Sequence, residues 1–224
     1  WFNMRFFTQL ISALSHPVFI LIYAYFIYFN IDSFNNQMFF ILESLNDVNY
    51  YWVIFVFIFL MAVLFPFVTI IIMYVMKTIS SFSIPDRKER LPVLVFVIFY
   101  YLMTYYILRH WNENLLNLLA PFISFMFGGV VLLLLLFFIT MRWKISLHTA
   151  AISGLCGGIM AIVLISPVNN LNSMALINTG LLLAIGVVSF SRLYLKAHSV
   201  LQILCGIFLG FSTIFSAVYF QWSV

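Results

Sequence analysis

Charge is what this chain has least of. Only 7% of its 224 residues are Asp, Glu, Lys or Arg, against about a quarter in ordinary soluble domains. With 65% hydrophobic residues and a mean hydropathy of +1.15, a fold of this size cannot hide its apolar surface from water, and a soluble globular domain is excluded. Cysteine is nearly absent. The two present, Cys156 and Cys205, fall inside apolar runs and read as free buried thiols, not a disulfide. No Asp/Glu/His/Cys cluster shows metal-ligand spacing, so neither a metal nor another cofactor is indicated. The six Pro and nine Gly are too few for long disordered linkers. The first apolar run is long and lacks a small-residue cleavage pattern, which argues against a cleavable signal peptide.

What is abundant is apolar length. A helix crossing the hydrocarbon core needs about 20 largely apolar residues, and seven stretches qualify: 6–31 with a kink at Pro17, 50–76 with Pro66 inside it, 91–108, 118–141, 148–165, 175–195 and 198–220. The expected fold is therefore all-α, a polytopic membrane bundle of about seven helices in one domain over 1–224. Residues 32–49 are polar at both ends and amphipathic between, which reads as an interfacial helix or reentrant loop. Tyr50, Tyr51, Trp52, Trp111, Trp143, Tyr219 and Trp222 mark membrane interfaces.

The scarce charges are unevenly shared. Seven crossings place nine basic and two acidic residues on the side where the chain starts, against one basic and four acidic on the other. By the positive-inside rule the basic side is cytoplasmic, and a bacterial inner membrane is the expected location. The same parity brings three segments to that one face. They are Pro85 to Pro92 (with Arg87, Lys88 and Arg90), Arg142 to His148 (with Lys144 and Ser146), and Ser191 to Gln202 (with Arg192, Lys196 and His198).

Arg holds phosphate oxygens through its planar fork, and His serves as nucleophile or proton carrier. His198 and Gln202, four residues apart on an expected helix, share a face, so the amide can bond one ring nitrogen and leave the other free. Lys196 reads as a snorkelling side chain. Ser146 caps the helix that begins near His148 or holds an anion there; both readings fit. Arg87, Lys88 and Arg90 form either a solvated loop or part of an anion site. Arg90 is favoured because Pro92 is expected to start the next helix. Gly154 and Gly158, and Gly206 and Gly210, are spaced for close helix approach, which would hold the two His in register.

The last segment, Ser191-Arg192, five residues, His198, three residues, Gln202, resembles the signature of the type 2 phosphatidic acid phosphatase superfamily, whose final residue is Asp. Ile145-Ser146-Leu147-His148 resembles that family's Pro-Ser-Gly-His, and Arg87 to Pro92 a degenerate form of its Lys, six residues, Arg-Pro. The resemblance covers about residues 83–210. It implies a core at about 50–221 with an additional N-terminal helix at 6–31. It also implies a metal-independent lipid phosphatase that uses a phosphohistidine on His198, with His148 protonating the leaving alcohol and Gln202 in the place of the orienting Asp. Arg192, Arg90, Arg87, Lys88, Lys144, Ser146 and Ser191 are then the candidate phosphate ligands. The implied partners are membrane lipids and a lipid phosphate substrate, not nucleic acid. The competing reading is a weak or inactive relative that binds lipid headgroups, a membrane-protein partner or a second copy of itself. A transporter is disfavoured, since no charge sits mid-helix and no pair of broken helices occurs in inverted halves.

Overall fold

The computed structural model describes residues 3–31, 50–82, 84, 86–111, 113–165 and 171–222. The expected interfacial segment at 32–49, the acidic residues Asp32, Glu43 and Asp47 within it, and Pro85 lie outside the described residues. Among those described there is no strand. The chain is an all-α bundle. Six stretches are long and apolar enough to cross a membrane: Tyr50–Val75, Arg87–His110, Leu119–Arg142, Leu147–Ile165, Asn172–Tyr194 and Val200–Tyr219. Such helices fit an integral membrane protein.

The expected continuous helix at 6–31 does not form. Helix α1 (Met4–Leu14) ends at Ser15, a short 3-10 turn covers Pro17–Phe19, and α2 (Ile20–Phe29) continues at a bend of 42°. Pro17 cannot donate an amide to the turn before it, so the helix breaks there instead of kinking. The pair makes a seventh span only if counted as one.

Helix α1 is amphipathic in an inverted sense. Thr8 and Ser15 are buried and Ser12 half-buried against the protein, while Phe6, Leu10 and Leu14 face outward. A helix surrounded by lipid can expose apolar residues at no cost and turn its hydroxyls inward. Helix α2 is apolar all round; it buries Ile20, Leu21, Ala24, Tyr25, Tyr28 and Phe29, while Phe26 faces outward. Tyr25 and Tyr28 are fully buried against Phe122, and the Tyr25 hydroxyl donates to the Tyr51 carbonyl at 2.5 Å.

The second span is continuous but not uniform. Helix α3 (Tyr50–Phe59) passes through a π-helical turn at Leu60–Leu64 into α4 (Phe65–Val75). The Phe65 amide bonds the Leu60 carbonyl, five residues back. This wider turn accommodates Pro66, which has no N–H to offer and would crowd a regular helix.

Helices α5 (Arg87–His110), α6 (Glu113–Arg142), α7 (Leu147–Ile165), α8 (Leu171–Tyr194) and α9 (Val200–Tyr219) complete the bundle. The start of α5 corrects one expectation. Asp86 caps it by accepting from the Lys88 amide, and Pro92 lies inside the helix, not at its first position.

Helix α7 is the most enclosed span, and α9 lies directly on it. Glycine is what permits the contact. A Cβ on Gly206 would meet Thr149 Oγ1 at 2.6 Å and the Ser146 carbonyl at 2.8 Å, and one on Gly210 would collide with the Ala150 carbonyl. The close approach fixes the starts of α7 and α9, and with them His148 and His198, relative to one another.

Candidate functional site

His198 stands just before α9, in the turn that joins it to α8. That turn closes α8 with a left-handed residue, Lys196 at φ 52°, and with bonds from the Lys196 amide to the Leu193 carbonyl (2.9 Å) and from the Ala197 amide to the Arg192 carbonyl (3.1 Å). This is a Schellman ending, usually made with Gly. It reverses the chain within a few residues and brings His198 back towards Arg192.

Ser199 caps α9, and Gln202 completes a reciprocal capping box. Gln202 Oε1 accepts from the Ser199 amide at 3.2 Å and lies 3.1 Å from His198 Nδ1. A backbone N–H can only donate, so the atom facing it is the amide oxygen. The same oxygen then requires a proton on Nδ1, which leaves Nε2 of neutral His198 with its lone pair free. The expected pairing is present, but its cause is the cap and not a shared helix face. Burial first, then Arg192, push the His198 pKa down to about 4; the Gln202 bond opposes this, and Arg90 and Lys144 add to it.

His148 occupies the first turn of α7. Its ring engages the main chain of Ser12 and meets the His16 ring edge-on, with centroids 5.4 Å apart and planes at 88°. The two histidine-bearing turns are stitched together. The Ser146 amide donates to the Gln202 carbonyl at 3.4 Å, and Thr149 Oγ1 lies 3.4 Å from the Ile203 carbonyl.

Two guanidinium groups face the same space. Arg192 closes α8, and its Nη1 donates to Ser12 Oγ at 2.5 Å, while its buried Nε has no partner among the described residues. Arg90 donates from Nε to the Ile84 carbonyl at 2.8 Å, which leaves both terminal nitrogens for other partners. Ile84 is held at φ 42°, an unusual backbone for a β-branched residue. Such strain persists only where the surroundings enforce it; here it aims a carbonyl at Arg90. Lys144 lies close enough to both guanidiniums that they reinforce burial in holding its pKa below the ordinary lysine range.

Arg90, Arg192, His148 and His198, with His16, line a cavity of about 160 Å³. Its other end is apolar. Val93, Val97 and Tyr101 on α5 face Leu136, Gly129 and Met126 on α6. From Arg90 to Tyr101 the helix descends roughly 16 Å, about half the thickness of a bilayer core. The cavity is cationic at one end and oily along the rest.

Not every candidate reaches it. Ser146 is fully buried, and its Oγ faces the Thr149 amide at 3.5 Å as a helix cap. Ser191 donates to the Thr8 carbonyl at 2.7 Å, holding α1 against α8. Arg87 donates to the Met141 carbonyl at 3.3 Å and ties α5 to the end of α6, and Lys88 is exposed. None of these four lines the cavity, nor does Lys144, which acts on it through its charge.

One histidine of the lining was not among the sequence candidates: His16. The available signal was an ionisable side chain inside an apolar run, which is rare without a use; only the neighbouring Pro17 was read, as a kink. Among the described residues, no group of three His, Cys, Asp or Glu is placed to hold a metal ion. No family model, no curated protein and no solved structure matches this chain.

Proposed function

We propose that the chain is a membrane lipid phosphatase that hydrolyses a lipid phosphate monoester or diphosphate, with His198 as nucleophile and no metal in the reaction. The observation that carries this reading is the cationic end of the cavity. Two guanidiniums and three imidazoles line it, with no carboxylate among the described lining residues. Burying cations together is costly unless an anion joins them. The apolar remainder suits the hydrocarbon part of the same ligand. The order of the motifs, and their resemblance to the type 2 phosphatidic acid phosphatase signature, point to phosphate as the anion.

In this mechanism Nε2 of His198 attacks phosphorus as the bond to the lipid oxygen breaks. His148, protonated once the phosphate anion offsets the neighbouring guanidiniums, gives its proton to that oxygen, and the lipid alcohol leaves. The phosphoimidazole keeps its Nδ1 proton, which Gln202 accepts as a hydrogen bond. Water then attacks phosphorus while His148 takes its proton; the P–N bond breaks, and phosphate leaves with His198 neutral again. Arg192 and Arg90 hold the non-bridging oxygens, where positioned donors do most of the work of phosphoryl transfer. The charge asymmetry of the loops supports a site on the cytoplasmic face of the membrane.

The test is phosphate release from a panel of lipid phosphates in detergent with EDTA present. Wild-type protein turns over and is inhibited by vanadate. His198→Ala abolishes turnover, and Arg192→Ala lowers it about 10²–10³-fold. Turnover that survives His198→Ala ends the mechanism. The uncharged Gln202, where the family has Asp, favours one second reading, a headgroup-binding subunit without activity. A wild-type protein that releases no phosphate from any lipid would support that reading instead.

A further inference from the structure

The N-terminal segment lies outside the stretch that carries the phosphatase resemblance, yet it is built into the site. Thr8 holds Ser191, Ser12 holds Arg192, and the Ser12 main chain engages His148. The helix then stops, and the first residue after its end, His16, lines the cavity beside His148 and Arg192. We infer that His16 is a third imidazole of the site and donates its Nε2–H to an oxygen of the bound phosphoryl group. This rests on the reading above only in taking the ligand to be a phosphoryl group.

The tautomer follows from the turn. His16 caps Pro17–Phe19, with Nδ1 accepting from the Val18 amide at 3.4 Å. An accepting Nδ1 carries the lone pair, so the proton of neutral His16 is on Nε2. That N–H has no hydrogen-bond partner among the described residues. Capping alone does not call for an imidazole, since Asn, Ser or Asp caps as well or better. The additional property of His16 is a second nitrogen, beyond the capping one, on a residue of the cavity wall whose neighbours in the lining include Arg90, Arg192, His148 and His198. The ring is held in place on both sides, by the cap at Nδ1 and by the edge-on contact with His148. His198 and His16 are therefore complementary at the cavity: one presents a lone pair to phosphorus, the other a donor to its oxygen.

Two substitutions separate donation from capping. In His16→Asn the side-chain amide ends where Nδ1 was, so the cap is kept and the donor lost. In His16→Gln the amide reaches the place of Nε2, so the donor is kept and the cap lost. Purified wild-type and variant proteins in detergent are titrated with vanadate by calorimetry, and phosphate release and thermal midpoint are measured in parallel. His16→Asn is expected to weaken vanadate binding about 10-fold or more and lower kcat/KM about 10²-fold, the effect of losing one positioned donor, with an unchanged midpoint. His16→Gln is expected to restore most of both. Vanadate affinity in His16→Asn equal to wild type overturns the inference, and so does equal loss in both variants at an unchanged midpoint. Wild type that binds vanadate, loses it in His16→Asn and releases no phosphate from any lipid keeps this assignment and removes the phosphatase reading. Wild type that binds no vanadate removes both.

Discussion

Nδ1 of His198 and Oε1 of Gln202 are 3.1 Å apart, and the oxygen is shared with the amide of Ser199. A single neutral side chain therefore completes the cap of α9, selects the His198 tautomer and fixes the ring. What it cannot supply is negative charge for an imidazolium that forms on His198. A hydrogen bond to a charged partner is worth about 1 kcal/mol more than one to a neutral partner. Gln202→Asp is thus expected to raise kcat about 5–10-fold, read as phosphate release at saturating substrate. A fall in kcat with an unchanged thermal midpoint would show that the amide is required as it stands.

The depressed pKa of His198, about 4 in the fold against 6.5 for the free side chain, has a consequence for stability. Between these two values the unfolded chain binds more protons than the folded one, so stability rises with pH across that window. Above pH 6.5 the contribution is absent, and below about 4 it is fully destabilising. The thermal midpoint of wild-type protein should fall as pH drops from 6.5 to 4, and His198→Gln should lose part of that slope. Parallel profiles for the two proteins would show that His198 is not held neutral by its surroundings.

Gly210 lies where α9 meets the Ala150 carbonyl of α7 without room for a Cβ. Gly210→Ala must push the two helices apart, at a cost typical of overpacking, about 1–3 kcal/mol. The displacement also separates His148 from His198. Both the thermal midpoint and phosphate release are expected to fall. An unchanged midpoint would mean that the pair tolerates a wider spacing.

Gly129 lines the apolar part of the cavity opposite Tyr101, where an added Cβ would sit at an ordinary 3.6 Å from the ring. Gly129→Ala should be tolerated. Gly129→Phe fills the passage, and turnover of long-chain lipid phosphates should drop about 10-fold or more while a short-chain phosphate is hydrolysed as before, since loss of tail binding leaves the reacting centre intact. Equal loss on both substrates would place the tail elsewhere.

Much of this arrangement was legible in the sequence because membrane helices obey few rules. Apolar length gave six spans with ends within a few residues of those observed, and crossing parity alone brought Arg90, His148, Arg192 and His198 to one face. Gly206 and Gly210, four residues apart, marked the contact that sets the two histidines. The misses have physical causes. Pro17 read as a kink, but the break it makes releases α1 to turn the Ser12 hydroxyl towards Arg192 and the Thr8 carbonyl towards Ser191, and no periodicity shows which face of a lipid-bathed helix points inward. Ser191 read as a phosphate ligand because of its neighbours in the chain, yet its hydroxyl donates to the Thr8 carbonyl of α1; Ser146 read equally as a cap or an anion ligand, and its hydroxyl faces the Thr149 amide as a cap. Pro92 read as a helix start, whereas Asp86 caps α5 more than one turn earlier. His16 was invisible because its partners, His148 and Arg192, are remote in sequence and meet it only through that break.

The most direct test is to trap the covalent intermediate. Wild-type protein would be mixed with a lipid phosphate labelled in its phosphoryl group, quenched in alkali, and its peptides sequenced by mass spectrometry. The account expects an acid-labile, alkali-stable phosphoryl group on His198, absent in His198→Ala and diminished in Arg192→Ala. Label on another residue, or turnover of the same lipid with no label on His198 at any quench time, would contradict it.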